Sequence, residues 1–114
     1  VRTLIQEDFT RAFNDGIDAI LTPTTPSSAF ALEDKSRKDP LEMYLNDIFT
    51  VTVNLSGLPA ISIPAGLDSS GLPLGLQLIG RPWEECNILN IAERLEKEIS
   101  FKETPTSWWQ NYNA

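Results

Sequence analysis

The 114-residue sequence contains no histidine and a single cysteine, Cys86. Without histidine, neither a Ser–His–Asp nor a Cys–His nucleophile can be assembled within this chain. Zinc patterns built from several Cys or His are excluded on the same ground, and one thiol cannot close an intrachain disulfide. Nor does a lone cysteine point to the disulfide framework of a small secreted domain. Long apolar runs are missing: nothing approaches the roughly 20 residues of a membrane span. No charged-then-apolar leader opens the chain. The expectation is a soluble cytoplasmic protein. Positive charge is also scarce. Nine Lys and Arg stand against sixteen Asp and Glu, a formal net charge of −7, and the densest basic stretch is the mixed run Lys35-Ser36-Arg37-Lys38. A chain this acidic has no broad electrostatic footprint for nucleic acid, so any nucleic acid must be held by another part of the protein or by another subunit.

What is present is enough for a core. Hydrophobic residues make up 41% of the chain, slightly below the ordinary globular range but well above a disordered composition. The length fits one domain. Val1, Leu4, Ile5, Phe9, Ala12 and Phe13 fall on one face of a helix over residues 1–14, and Gly16 suits its left-handed C-terminal position. This helix begins at the first residue with neither Met nor a cap, the start expected of a segment of a longer polypeptide. Ile17 to Leu21 reads as a short buried strand, ended by Thr22-Pro23-Thr24-Thr25-Pro26 because proline cannot donate to a ladder. Ser27 to Asp39 reads as a solvated loop.

Asp39-Pro40-Leu41-Glu42 carries a cap, a preorganised first residue and an acidic third position, and so starts a second helix. Its apolar face is Leu41, Tyr44, Leu45, Ile48 and Phe49. The helix is expected to run to about Leu55 and to stop at Ser56-Gly57, although the β-branched run from Thr50 to Val53 weakens its second half. Leu58–Pro64 and Leu72–Ile79 then form a hairpin about the turn Asp68-Ser69-Ser70-Gly71. Gly75 marks a bulge or a close backbone approach. A last helix covers 84–99, with Ile88, Ile91, Ala92, Leu95 and Ile99 on one face. Residues 1–99 form the main unit. The tail, 100–114, carries Phe101, Trp108, Trp109 and Tyr112 and reads as a docking extension or a weakly ordered one. The alternation of helices and strands predicts α/β layer packing. Three strands with three one-faced helices are an incomplete domain, better read as part of a larger sheet.

Several motifs succeed one another in a distinctive order. They are Ala19-Ile20-Leu21-Thr22-Pro23-Thr24, then Asp39-Pro40, then Tyr44-Leu45-Asn46-Asp47. The stretch from Val53-Asn54-Leu55-Ser56-Gly57-Leu58-Pro59 to Pro64 follows, and Gly71-Leu72-Pro73-Leu74-Gly75-Leu76-Gln77-Leu78-Ile79-Gly80-Arg81-Pro82 closes the set. This succession resembles the C-terminal part of the amidase-signature family, and within it the glutaminase subunits of tRNA-dependent amidotransferases. The resemblance runs from Val1 to about Ile99. It implies a mixed-sheet α/β/α fold and a serine nucleophile activated through a second serine and a lysine. Those residues belong to a Gly/Ser-rich loop and an upstream lysine that nothing here matches, so no catalytic residue is assigned to this chain. The resemblance further implies glutamine as substrate and small and large partner subunits in a heterotrimer. It places tRNA, ATP and magnesium with a partner, with no cofactor or metal in this chain and no membrane association.

Individual residues sort accordingly. Ser69 and Ser70 imitate a nucleophile loop but sit in a turn without a Gly-rich run, and Ser27 and Ser28 merely follow a proline break. Lys35, Lys38, Lys97 and Lys102 stand in polar contexts and read as solvated. Arg2 reads as a surface residue, because the arginine expected to meet the substrate carboxylate has no match here. Gly57, Gly75 and Gly80 read as structural, and Cys86 as a packing or surface thiol. Asp47 is the one candidate binding residue. The resemblance implies that the matching acidic position holds the amino group of glutamine. On a continuous helix, Met43 and Val51 would flank Asp47 at the four-residue spacing. A carboxylate between apolar groups is costly unless a cation meets it, and a substrate ammonium would do so. An ion pair within the enzyme is the alternative. Two other readings of the whole remain open: a family member acting on free amides, and a non-catalytic interaction module using its exposed aromatics.

Overall fold

The computed structural model describes residues 1–32 and 40–104. The expected cap Asp39, the lysines Lys35 and Lys38, and the tail aromatics Trp108, Trp109 and Tyr112 lie outside the described residues. In chain order the elements are α1 (Arg2–Asn14), β1 (Ile20–Pro23), α2 (Pro40–Leu45), α3 (Ile48–Ser56), β2 (Ala60–Leu67), β3 (Pro73–Ile79) and α4 (Glu85–Ile99). The strands form one sheet in the order β1-β3-β2, and both pairings are antiparallel.

The strand near residue 20 lies further along the chain than its sequence suggests. It spans Ile20–Pro23 and includes the proline expected to end it. Pro23 is tolerated because β1 is an edge strand, where an absent N–H costs no ladder bond. Pairing even continues past it, with Thr24 N donating to Gly75 O at 3.2 Å. Pro64 likewise lies on an edge strand, and Pro73 opens the central one. The register of β2 on β3 shifts between Pro64 and Gly66, so the bulge belongs to β2, opposite Gly75. Gly75 is also a close approach. A Cβ there would stand 2.8 Å from Ser62 Oγ and 3.0 Å from Thr24 Oγ1.

Side chains alternate across the sheet, and each face has its helix layer. Ile63, Leu76 and Leu78 point to α4 and pack with Ile88, Ala92, Ile91 and Leu95 in the main core. Fully burying an Ile or Leu there stabilises by roughly 1.5–3 kcal/mol each. Gln77 and Ile79 point the other way and are buried, Gln77 with its amide on the first turn of α3. Helix α1 packs on α3; Phe13 is buried in the first and Val53 in the second. It also closes the C-terminal end of α3: Arg2 Nε donates to Leu55 O at 2.8 Å and Gln6 Nε2 to Ser56 O at 3.1 Å. Those carbonyls have no partner inside the helix. Arg81 fastens the far end of α1, its Nη2 donating to Phe13 O (3.1 Å) and Ile17 O (2.9 Å) with the guanidinium over the Phe13 ring.

The hairpin turn is organised by one carboxylate. Asp68 Oδ1 accepts from Ser70 N (2.8 Å) and Leu72 N (2.9 Å), and Oδ2 accepts from Ser28 Oγ. The Ser28 hydroxyl, followed by the backbone N–H of Leu72, holds the Asp68 carboxyl below its ordinary 3.8. A carboxyl depressed on folding adds stability above its unfolded value and loses it as pH falls through the folded one. Asp68→Asn should therefore abolish part of the acid sensitivity of the fold below the ordinary carboxylate range. Urea unfolding midpoints of wild type and variant should converge as pH drops, and a constant gap would exclude the linkage.

Apolar surface remains uncovered. Leu41 and Leu4 are 61% and 63% exposed, and Leu21, Met43, Tyr44, Ile48 and Leu89 are open as well. No helix among the described residues is long and apolar enough to cross a membrane.

Candidate functional site

Asp47 does not lie within a continuous helix. The expected helix over 40–55 is broken at Asn46-Asp47 into α2 and α3. At the break the hydrogen bonds shorten to the three-residue pattern: Asn46 N donates to Met43 O (3.3 Å) and Asp47 N to Tyr44 O (3.1 Å). Asp47 then serves as the N-cap residue of α3, with φ −101° and ψ 9°. The four-residue spacing to Met43 is therefore broken, while that to Val51 is kept by the helical bond from Val51 N to Asp47 O.

The backbone and side chain of Asp47 have separate tasks. Its carbonyl accepts from Thr50 N (3.0 Å) and Val51 N (2.9 Å), and also from Thr50 Oγ1 (3.1 Å). The carboxylate makes no capping bond to α3, is exposed, and has no ion-pair or hydrogen-bond partner among the described residues. It sits beside the positive end of the α3 backbone, where a carboxylate is favoured without being consumed by a neighbour. Next to it, Asn46 Nδ2 is buried and has no partner among the described residues. An unmade bond of this kind costs about 1–3 kcal/mol.

The sheet face on this side is polar, a feature that sequence reasoning missed. Thr22 and Ser62 are the cross-strand partners of Gln77. Thr24 Oγ1 and Ser62 Oγ stand 2.6 Å apart, beside the bare Cα of Gly75. Gln77 is 4% exposed, and its Nε2 donates to Thr22 Oγ1 (3.0 Å) and to Phe49 O (2.9 Å). The strand pattern Leu76-Gln77-Leu78 carried a signal for this. A glutamine between core leucines faces solvent only if nothing covers the second face of the sheet.

The other candidates fall apart in space. Ser69 and Ser70 lie in the hairpin turn, Ser70 with its N–H on Asp68, and Ser28 is the Asp68 donor. Gly57 ends α3 in the left-handed conformation at φ 72°. Lys97 makes only an exposed pair with Glu93 (3.1 Å). Cys86 is exposed in the first turn of α4. A hollow lined by Pro23, Thr25, Pro26, Ala65, Gly66, Leu74, Gly75 and Leu76 opens at the bulge end of the hairpin, and neither Asp47 nor Gln77 borders it.

The arrangement of a three-stranded antiparallel sheet and its helices has a counterpart in known proteins. The chain belongs to the amidase family, whose model matches residues 1–89. It is 64% identical over 109 residues to the A subunit of glutamyl-tRNA(Gln) amidotransferase from Cereibacter sphaeroides, covering 96% of this chain and 22% of that protein. The solved structure of the corresponding A subunit from Thermotoga maritima matches with a TM-score of 0.82 at 43% identity, over 90% of this chain and 22% of that one. 6-Aminohexanoate cyclic dimer hydrolase matches with a TM-score of 0.76 at 25% identity, over 88% of this chain and 23% of that one. The α/β architecture is thus that of the amidase-signature fold. The chain spans about a fifth of the length of the relatives it matches.

Proposed function

We propose that this chain is the substrate-holding part of a glutaminase subunit in a tRNA-dependent amidotransferase. The whole protein would hydrolyse glutamine with water to glutamate and ammonia. The ammonia would pass to a partner that amidates glutamate on tRNA(Gln) at the expense of ATP. Small and large partner subunits complete a cytoplasmic heterotrimer. ATP, magnesium and tRNA belong to the partner's chemistry, and no residue of this chain is assigned to them. The serine nucleophile, its serine relay and the lysine also lie in residues with no match here. The segment over residues 1–99 contributes Asp47, whose carboxylate meets the α-ammonium of glutamine.

The observation that supports this reading is the unpartnered Asp47 carboxylate at the α2–α3 break, in a chain so similar to the A subunits of amidotransferases. An exposed carboxylate uncommitted within its own fold is available to a ligand of opposite sign. Holding the substrate by its far end converts the attack on the amide into a positioned, effectively intramolecular step.

The test is a comparison of two amides in the full-length protein. Glutamine and 4-carbamoylbutanoate (glutamine without its α-amino group) present the same scissile amide. Ammonia release should favour glutamine in kcat/KM by on the order of 100-fold, the scale of a lost charge-assisted contact in a closed site. Equal values would replace this reading with that of an amidase of free amides.

A further inference from the structure

We propose that Gln77 is the positioning residue for the substrate-holding carboxylate, joining the central strand to the first turn of α3 and so setting where Asp47 stands relative to the sheet. This rests on the reading of Asp47 as the ammonium ligand.

The connection is short and made of few bonds. Gln77 is buried in the middle strand, on the face away from α4. Its amide nitrogen has two hydrogens, and both are directed: one to Thr22 Oγ1 at 3.0 Å and one to Phe49 O at 2.9 Å. The orientation of the amide follows from its partners. A backbone carbonyl can only accept, so the nitrogen must face Phe49. Thr22 in turn donates its hydroxyl hydrogen to Pro23 O at 3.0 Å, which leaves its oxygen free to accept.

Phe49 stands in the first turn of α3, which begins at Ile48. The same turn is bound to Asp47 by three hydrogen bonds on the Asp47 carbonyl, from Thr50 N, Val51 N and Thr50 Oγ1. A shift of the first turn against β3 therefore carries Asp47 with it. Across the break to α2, the link is two three-residue bonds, Asn46 N to Met43 O and Asp47 N to Tyr44 O. A polar group in a covered sheet face needs such a reason, because an apolar side chain of equal length would fill the site without demanding two partners.

Gln77→Met keeps the length and removes the donors. Gln77→Glu is isosteric, cannot donate to Phe49 O when ionised, and carries the test if the Met variant does not fold. In the full-length protein, the preference for glutamine over 4-carbamoylbutanoate should fall on the order of 10- to 100-fold, the scale of a displacement of about 1 Å. The loss should appear in the KM for glutamine, with turnover of the analogue kept. A merely structural role would lower the rates with both amides together and leave their ratio intact. A folded Gln77 variant with the full preference, beside an Asp47→Ala variant that has lost it, overturns the role of Gln77 and keeps that of Asp47. Full preference in Asp47→Ala removes the underlying reading and this proposal with it.

Discussion

Asp47→Ala in the full-length protein should raise the KM for glutamine by about 100-fold, roughly 3 kcal/mol, while kcat at saturation changes far less. The carboxylate is exposed in this segment; with the rest of the full-length protein and the substrate covering it, removing one member of the ammonium–carboxylate pair costs about 2–5 kcal/mol, because the other charge is left buried and alone. The effect belongs in KM, since the contact is made at the end of the substrate remote from the amide and persists from bound substrate to transition state. The fold should survive. The carboxylate makes no bond to α3, whereas the Asp47 carbonyl that receives the first turn is kept in alanine. Asp47→Asn should fall between the two, retaining a hydrogen-bond acceptor without the charge. Hydrolysis of 4-carbamoylbutanoate should hardly respond to either change. An unaltered glutamine KM in a folded Asp47→Ala protein would sink the substrate role, and the ion-pair reading would take its place.

Parts of this site were readable from spacing and parts were not. The helices over 2–14 and 85–99 and the hairpin about Asp68 follow from local periodicity and turn chemistry, and they stand within two or three residues of where those signals put them. Gly57 ended α3 for the reason its backbone freedom predicts. The break at Asn46-Asp47 was not visible, because no proline or glycine marks it and apolar spacing continues across it from Leu45 to Phe49. The preference for two short helices is set by what they touch. Phe49 must present its carbonyl to a glutamine in a strand 28 residues later. Pro23 was misread because a proline rule for strands depends on whether the strand is at an edge, and strand order is a property of the whole sheet. Gln77 escaped for the same reason. One residue cannot announce that both sides of its sheet are covered. The chemistry of this site therefore lies in long-range pairs, while the local signals supplied the frame that brings those pairs together.

That frame should fail most sharply at Gly80. Gly80 follows the last residue of β3 and is buried, its N–H bonded to Pro59 O at 2.9 Å. A Cβ on it would stand 2.4 Å from Ile88 Cγ1 and 2.8 Å from Cδ1. The first of these atoms is not the loose end of a side chain. It is attached to a branched carbon near the backbone of α4, and Ile88 is packed among Ile63, Leu78 and Ala92. Relief requires α4 to lift from the sheet or Ile88 to leave its rotamer, so Gly80→Ala should cost about 2–3 kcal/mol, the upper part of the range for overpacking. Urea unfolding of the full-length protein would show this as a lower midpoint at unchanged slope. Gly66→Ala is the matched comparison: nothing lies within 4 Å of its added Cβ, and its backbone is not in the left-handed region. It should change stability by no more than about 0.5 kcal/mol. Ile88→Ala removes both clashing atoms and leaves a cavity that by itself costs about 2–5 kcal/mol. On that background the added methyl of Gly80→Ala should cost little or even fill part of the space, so the double variant should be more stable than the sum of the single losses implies. Additive losses would mean that Gly80 and Ile88 are not in contact, and that α4 meets the sheet along a different line from the one that buries Leu78.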